Sequence, residues 1–234
     1  MRSYYAKTSG ARIPYEPPAS AWNPLDTIGA GALPLPLALT QNNRIATRQG
    51  VTGTSYEAGV RGTLSHGGVA GEKWYLEIKL LNIGTPGQTQ NLELGLIDVL
   101  ATNILSRPPP SDTSEITNLS LANYLLAYSR TTDGAVYTSY PASVTHAGGL
   151  GSGPSVDDVY GFAWDVGTSI KVYRNNALGL TVPYTATVPL FPYFAAGATL
   201  VNGPNSAGTD ESALIQAGRK QQTYSPPAGY HSWG

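Results

Sequence analysis

From Asp157 to Gly179 the chain reads Asp-Asp-Val-Tyr-Gly-Phe-Ala-Trp-Asp-Val-Gly-Thr-Ser-Ile-Lys-Val-Tyr-Arg-Asn-Asn-Ala-Leu-Gly. Tyr160, Phe162, Trp164 and Val166 alternate with Gly161, Ala163 and Asp165, the period of two of a strand with one heavily apolar face. Turn residues follow at 165–168, then a β-branched and aromatic run over 170–174, then Asn175-Asn176. Asn, Asp and Gly tolerate the positive φ that a tight reversal demands, whereas β-branched residues do not. Two hairpins in succession make a meander.

Similar signals recur along the chain. Trp74, Leu76, Ile78 and Leu80 share one face and Tyr75, Glu77 and Lys79 the other, which predicts a half-buried strand over 74–81. Residues 91–99 follow across Gly-Thr-Pro-Gly and are expected to continue the same sheet. Strands are predicted at 37–40 and 44–48 around Gln41-Asn42-Asn43, at 57–65, and at 124–130 and 135–138 around Asp133-Gly134. A further strand over 190–196 carries Pro192, which points to an edge or a bulge, and 212–217 reads as the last strand. The stretches 101–120, 145–155 and 202–210 read as long loops. With 27 Gly, 18 Pro, 15 Tyr and only 12% charged residues, the composition suits many short strands, and the class is all-β.

A formal net charge of −1 leaves no basic footprint for nucleic acid as the main partner. The absence of cysteine removes disulfides, thiolate chemistry and Cys-ligated metal sites. No apolar signal core follows Met1 to Tyr5, and no run approaches the ~20 apolar residues of a membrane span. Residues 1–20, with Pro14, Pro17 and Pro18 among Tyr4, Tyr5, Arg12 and Tyr15, have no period that would bury a face. They are expected to form an extended, polyproline-like arm whose tyrosines and Arg12 dock on another subunit. Residues 21–234 are expected to form the folded all-β domain.

Several segments match one family in order: Gly71-Glu72-Lys73-Trp74-Tyr75-Leu76-Glu77, Asp158 to Asp165, Val172-Tyr173-Arg174-Asn175-Asn176, Pro189-Leu190-Phe191-Pro192 and Tyr224-Ser225-Pro226-Pro227-Ala228-Gly229-Tyr230. Together they resemble the SPRY domain. The opening Trp22-Asn23-Pro24-Leu25-Asp26 and the stretch 37–47 are similar to the version found in bacteriophage tail-fibre and other virion structural proteins. The chain departs from the family in having Gln216-Ala217-Gly218 before the final Pro-Pro segment and Asn175-Asn176 after the fingerprint strand. The resemblance implies a two-sheet antiparallel, concanavalin-like β-sandwich used for binding, with its contact surface made by loops near 50–58, 101–120, 145–156 and 202–211. It also implies a virion location after synthesis in the host cytoplasm, other virion proteins as partners through the arm, and a homo-oligomer, with a trimer as the suggested state.

Three functions follow as expectations. The first is a virion adhesin or decoration that recognises host-surface glycan. A stacking platform of Tyr124, Tyr128, Tyr137, Tyr140 and Trp233 would serve it, since the apolar faces of sugar rings favour aromatic side chains. The second is a purely architectural subunit. The third, a glycan hydrolase, needs a carboxylate pair. Glu77, Glu93 and Asp98 are the acids on the relevant strands, and no Glu-x-Asp-x-x-Glu spacing occurs. No catalytic residue, cofactor or metal is therefore expected. His66, His146 and His231 lie far apart in sequence, and the adjacent acids Asp157-Asp158 read as a loop end rather than a calcium site.

Overall fold

The computed structural model describes residues 6–8, 11–13, 20–29, 37–47, 56–83, 90–98, 124–129, 135–138, 145–198, 212–218 and 220–234. Its strands are β1 (Ala6–Thr8), β2 (Ala11–Ile13), β3 (Trp22–Gly29), β4 (Ala38–Thr40), β5 (Ile45–Thr47), β6 (Tyr56–Gly62), β7 (Lys73–Asn82), β8 (Gln90–Asp98) and β9 (Tyr124–Ser129). They continue with β10 (Ala135–Thr138), β11 (Thr145–Gly149), β12 (Val159–Asp165), β13 (Thr168–Arg174), β14 (Ala177–Tyr184), β15 (Leu190–Ala198), β16 (Ser212–Gln216) and β17 (His231–Ser232). No helix among the described residues is long and apolar enough to cross a membrane.

Two antiparallel sheets carry the fold. One runs β11-β10-β9-β8-β15-β6-β3 and the other β14-β13-β12-β7-β16-β5-β4, with β17 added alongside β7. The expected meander is there: β12 pairs with β13 and β13 with β14. Asn175 and Asn176 stand at φ 51° and 66°, the positive pair that a two-residue reversal needs, and Gln41, Asn42 and Asn43 do the same between β4 and β5.

Four expectations are corrected. Strand β8 does not continue the sheet of β7. The inward faces Leu76, Ile78, Leu80 and Leu92, Leu94, Leu96 all belong to one core, so the strands sit in opposite sheets, where both leucine faces are buried at once. Pro192 is not on an edge strand, for β15 lies between β8 and β6. The β6 ladder stops at Tyr193–Arg61, and Gly62 leaves room for the ring: a Cβ there would lie 2.9 Å from Pro192 Cδ. The stretch read as a loop at 145–155 begins with β11, which pairs with β10 through a register shift. In the region read as a polyproline-like arm, β1 and β2 pair antiparallel as a short hairpin.

The core lies between the sheets. From one side come Val60, Leu92, Leu94, Leu96, Val136, Phe194 and Ala196, and from the other Leu76, Ile78, Leu80, Phe162, Trp164, Ile170, Val172 and Ile215. Trp22 bridges the layers, its ring 6.2 Å from Phe194 and its indole N–H donated to the Ala213 carbonyl at 3.4 Å. On the outside of β7, Tyr75 and Glu77 are also buried, beneath residues 222–224.

Candidate functional site

Strand register sorts the connections into two ends of the sandwich. Lys73, Asp165, Leu190, Asp98, Thr138 and Gln216 mark one end, and Asn82, Val159, Gln90, Ala135 and Ser212 mark the other. Of the segments expected to bind, β11 carries 145–149 across the sheet from the first end to the second, where 150–156 follow. Residues 50–55, 101–120 and 202–211 lie outside the described residues.

At the first end an open cleft of about 690 Å³ is lined by Gly71, Glu72, Lys73, Trp74, Gly229 and His231. Trp74 is the second residue of β7. Its partner on one side is Trp164, directly opposite in register, and on the other His231, through the parallel pairing of β17. β16 ends its pairing with β7 at Glu77, so the two residues of β17 fill the edge it leaves free. Gly71 at φ 89° and Gly229 at φ 85° shape the two turns that bring the walls together, a backbone region that favours glycine.

Trp74 is half-buried and held from behind. The His66 ring stacks on it with centroids 3.7 Å apart and 20° between planes, while His231 lies 5.9 Å away. His66 Nε2–H donates to the Trp233 carbonyl at 2.6 Å, which fixes the ring and its tautomer. Burial lowers the His66 pKa from the usual imidazole value, opposed by that bond and by the Glu72 charge. The indole N–H of Trp74 donates to Glu72 Oε2 at 3.2 Å, so carboxylate and ring are oriented together. Lys73 makes an ion pair with Asp165 at 3.2 Å and sits 5.7 Å from the Tyr230 ring centroid. Burial, with the Asp165 charge behind it, raises the Tyr230 pKa and keeps the phenol neutral.

The residues expected to form an aromatic platform are not gathered here. Trp233 is fully buried: its ring lies 6.3 Å from Trp164, and its indole N–H is given to the Leu64 carbonyl at 3.1 Å. With no exposed face it serves the core, a correction to its reading as a stacking residue. Register places positions 124, 128 and 137 on one face of their sheet, opposite the face that carries Leu92, Leu94 and Leu96. Tyr140 lies outside the described residues, as do Tyr4, Tyr5 and Tyr15 of the arm; position 12 falls in β2.

The strand acids do not pair. Glu77 lies on the outer face of one sheet and position 93 on the outer face of the other, with the core between them, while Asp98 alternates with Glu93 and Ile97 and so takes the inward side of its strand. Glu77 is moreover fully engaged: it accepts from Tyr75 Oη at 2.9 Å, Thr223 N at 2.6 Å and Tyr224 N at 3.1 Å. The Asp157-Asp158 pair is a loop end as expected. Asp157 meets Lys79 at 2.8 Å, and Asp158 holds Arg174 at 2.6 Å together with Ser155 N and Asn175 Nδ2. Among the described residues no group of three or more His, Cys, Asp or Glu could hold a metal ion.

Sequence reading missed the cleft. It put Trp74 on the apolar face of its strand, where the residue does pack against the core, and treated His66 and His231 as unrelated, whereas both rings lie against Trp74. The available signal was positional: Trp74 stands at the start of its strand, just after the Gly71-Glu72 turn, where an apolar face reaches the end of the sheet.

No protein family matches the chain, and no curated protein matches it. Solved structures do. The carbohydrate binding module CBM66 from Bacillus subtilis aligns over 85% of this chain and 93% of its own at 10% identity, with a TM-score of 0.43. The SPRY domain of human HERC1 aligns over 83% and 96% at 13% identity and 0.45. The kappa-carrageenase from Pseudoalteromonas carrageenovora aligns over 76% and 79% at 8% identity and 0.47. These likenesses are ones of architecture.

Proposed function

We propose that the chain is a non-enzymatic binding protein of a bacteriophage virion, attached through residues 1–20 and recognising host-surface glycan through its sandwich. The virion assignment rests on the ordered sequence resemblance from Trp22 to Tyr230. The observation that carries glycan recognition is the cleft at Trp74. A half-buried indole braced by His66, beside an oriented carboxylate and an imidazole, is the mixture of apolar face and polar edge that a sugar ring requires. Glu77 and Glu93, on opposite outer faces, cannot flank one glycosidic bond, which supports binding over hydrolysis.

The test compares the whole chain, a chain lacking residues 1–20 and Trp74→Ala for incorporation into particles and for retention on polysaccharide extracted from the host surface. The truncated chain is expected to bind polysaccharide and fail to join particles, and Trp74→Ala to join particles and lose polysaccharide. If the whole chain joins particles and binds neither cells nor polysaccharide, the protein is an architectural subunit.

A further inference from the structure

Resting on that reading, the arrangement of charge in the cleft narrows the ligand. We infer that it takes a neutral sugar ring, stacked on Trp74 with hydroxyls donated to Glu72, and that it discriminates against acidic sugars such as uronates or sulfated and sialylated units.

Among the described residues that line the cleft Lys73 carries the only ammonium, and it is already committed: its Nζ lies 3.2 Å from Asp165. Glu72 on the lining and Asp165 paired with Lys73 thus set two carboxylates against one ammonium. An anionic sugar would bring its charge beside Glu72 and would have to draw Lys73 away from Asp165, losing one ion pair to form another. A neutral ring meets no such opposition. Glu72 is held by the Trp74 indole N–H at one oxygen, Oε2, which leaves Oε1 to accept from a ligand hydroxyl. A carboxylate accepts and cannot donate, so it selects hydroxyl donors over carboxylate or sulfate oxygens.

The shape of the cleft agrees. One face of Trp74 is occupied by His66, and the cleft lies against what remains of the ring. A single planar surface of this size matches one pyranose ring. His231, the β17 partner of Trp74, offers ring nitrogens that can serve a hydroxyl as donor or acceptor.

The experiment measures binding of the full chain to a panel of neutral polysaccharides (glucan, galactan, mannan) and acidic ones (polygalacturonate, alginate, hyaluronate) between 50 and 500 mM NaCl. Alongside it run Trp74→Ala, Trp74→Phe and Glu72→Gln, each checked for native far-ultraviolet circular dichroism. The expected result is binding to a neutral polymer that changes little with salt, since no ion pair forms with the ligand. Trp74→Ala should weaken it by roughly tenfold or more, Trp74→Phe by less, and Glu72→Gln by about three- to tenfold. Tight binding to an acidic polymer that Trp74→Ala or Glu72→Gln disrupts overturns the inference and leaves glycan recognition standing. Glycan binding indifferent to both substitutions also overturns it, by placing the site elsewhere. Binding to no polymer in the panel or from the host overturns the inference and the glycan reading together.

Discussion

Tyr75 and Glu77, two residues apart on the outer side of β7, are joined by a hydrogen bond of 2.9 Å from the phenol to Glu77 Oε1 beneath the segment 222–224. Both are buried, and burial raises the pKa of both groups. Glu77→Ala would leave the Tyr75 hydroxyl and the Thr223 and Tyr224 amides without their acceptor. The expected cost is about 3–5 kcal/mol of stability, read from urea unfolding. Amide exchange at residues 223 and 224 should accelerate more than at β12, and equal rates in both places would count against the clasp.

His66 gives a pH dependence. Its folded pKa is lowered, so between that value and the ~6.5 of the unfolded chain the native state binds fewer protons than the unfolded one. Its contribution is therefore complete above ~6.5 and is lost as pH falls through the folded value. Glu77, raised by burial, has the opposite slope: its contribution is greatest below the ~4.3 of the unfolded carboxyl and declines as pH rises through the folded value. From pH 7.5 to 5 the urea midpoint of the natural chain should drop relative to that of His66→Gln, the Glu77 contribution being common to both. Parallel curves would remove His66 as the cause.

Gly161→Ala tests close packing on the same outer face. Gly161 pairs with Glu77 and lies diagonal to Tyr75, and a Cβ there would stand 2.5 Å from Tyr75 Oη and 3.0 Å from Cε2. Tyr75 cannot step aside without breaking its bond to Glu77. The substitution should cost about 2 kcal/mol, a drop in Tm of roughly 4–8 °C. Scanning calorimetry checks it, with Gly68→Ala, where a Cβ meets nothing within 4 Å but φ is 95°, as a comparison for purely backbone strain.

Asp158→Asn should loosen the segment before β12. Asp158 Oδ2 accepts from Arg174 Nη2 at 2.6 Å and Nε at 3.0 Å and from Ser155 N at 2.6 Å, while Arg174 also donates to the carbonyls of Ser152 and Gly153. Removing the carboxylate charge leaves a largely buried guanidinium uncompensated, at a cost of about 2–4 kcal/mol. Limited proteolysis within 150–158 should speed up in proportion, and an unchanged cleavage rate would show that the loop is held by other means.

The hairpins were legible because their causes are local: Asn175-Asn176 and Gln41-Asn42-Asn43 announce positive φ, and alternation at 159–165 announces a face. The partnership of sheets was not. Alternation in β7 and β8 is the same whether two leucine faces lie side by side or face to face, and only the count of surfaces to be buried across the whole chain decides. Pro192 misled because its neighbourhood depends on Gly62, 130 positions earlier. The candidate site was less legible still. Its walls come from 66, 71–74 and 229–231, and they meet through a parallel pairing two residues long, too short to leave any period.

That short pairing also bears on how the molecule is made. β7 lies far ahead of residues 231–233 in sequence, yet its edge at Trp74 and Tyr75, the carbonyl that fixes His66 and the indole beside Trp164 are all supplied by those residues. Without residues 231–233 in place, Trp164 loses a stacked indole and His66 the carbonyl it donates to. The cleft and the core are therefore closed by the same three residues, so a chain whose interior is incomplete at that end has no finished cleft either.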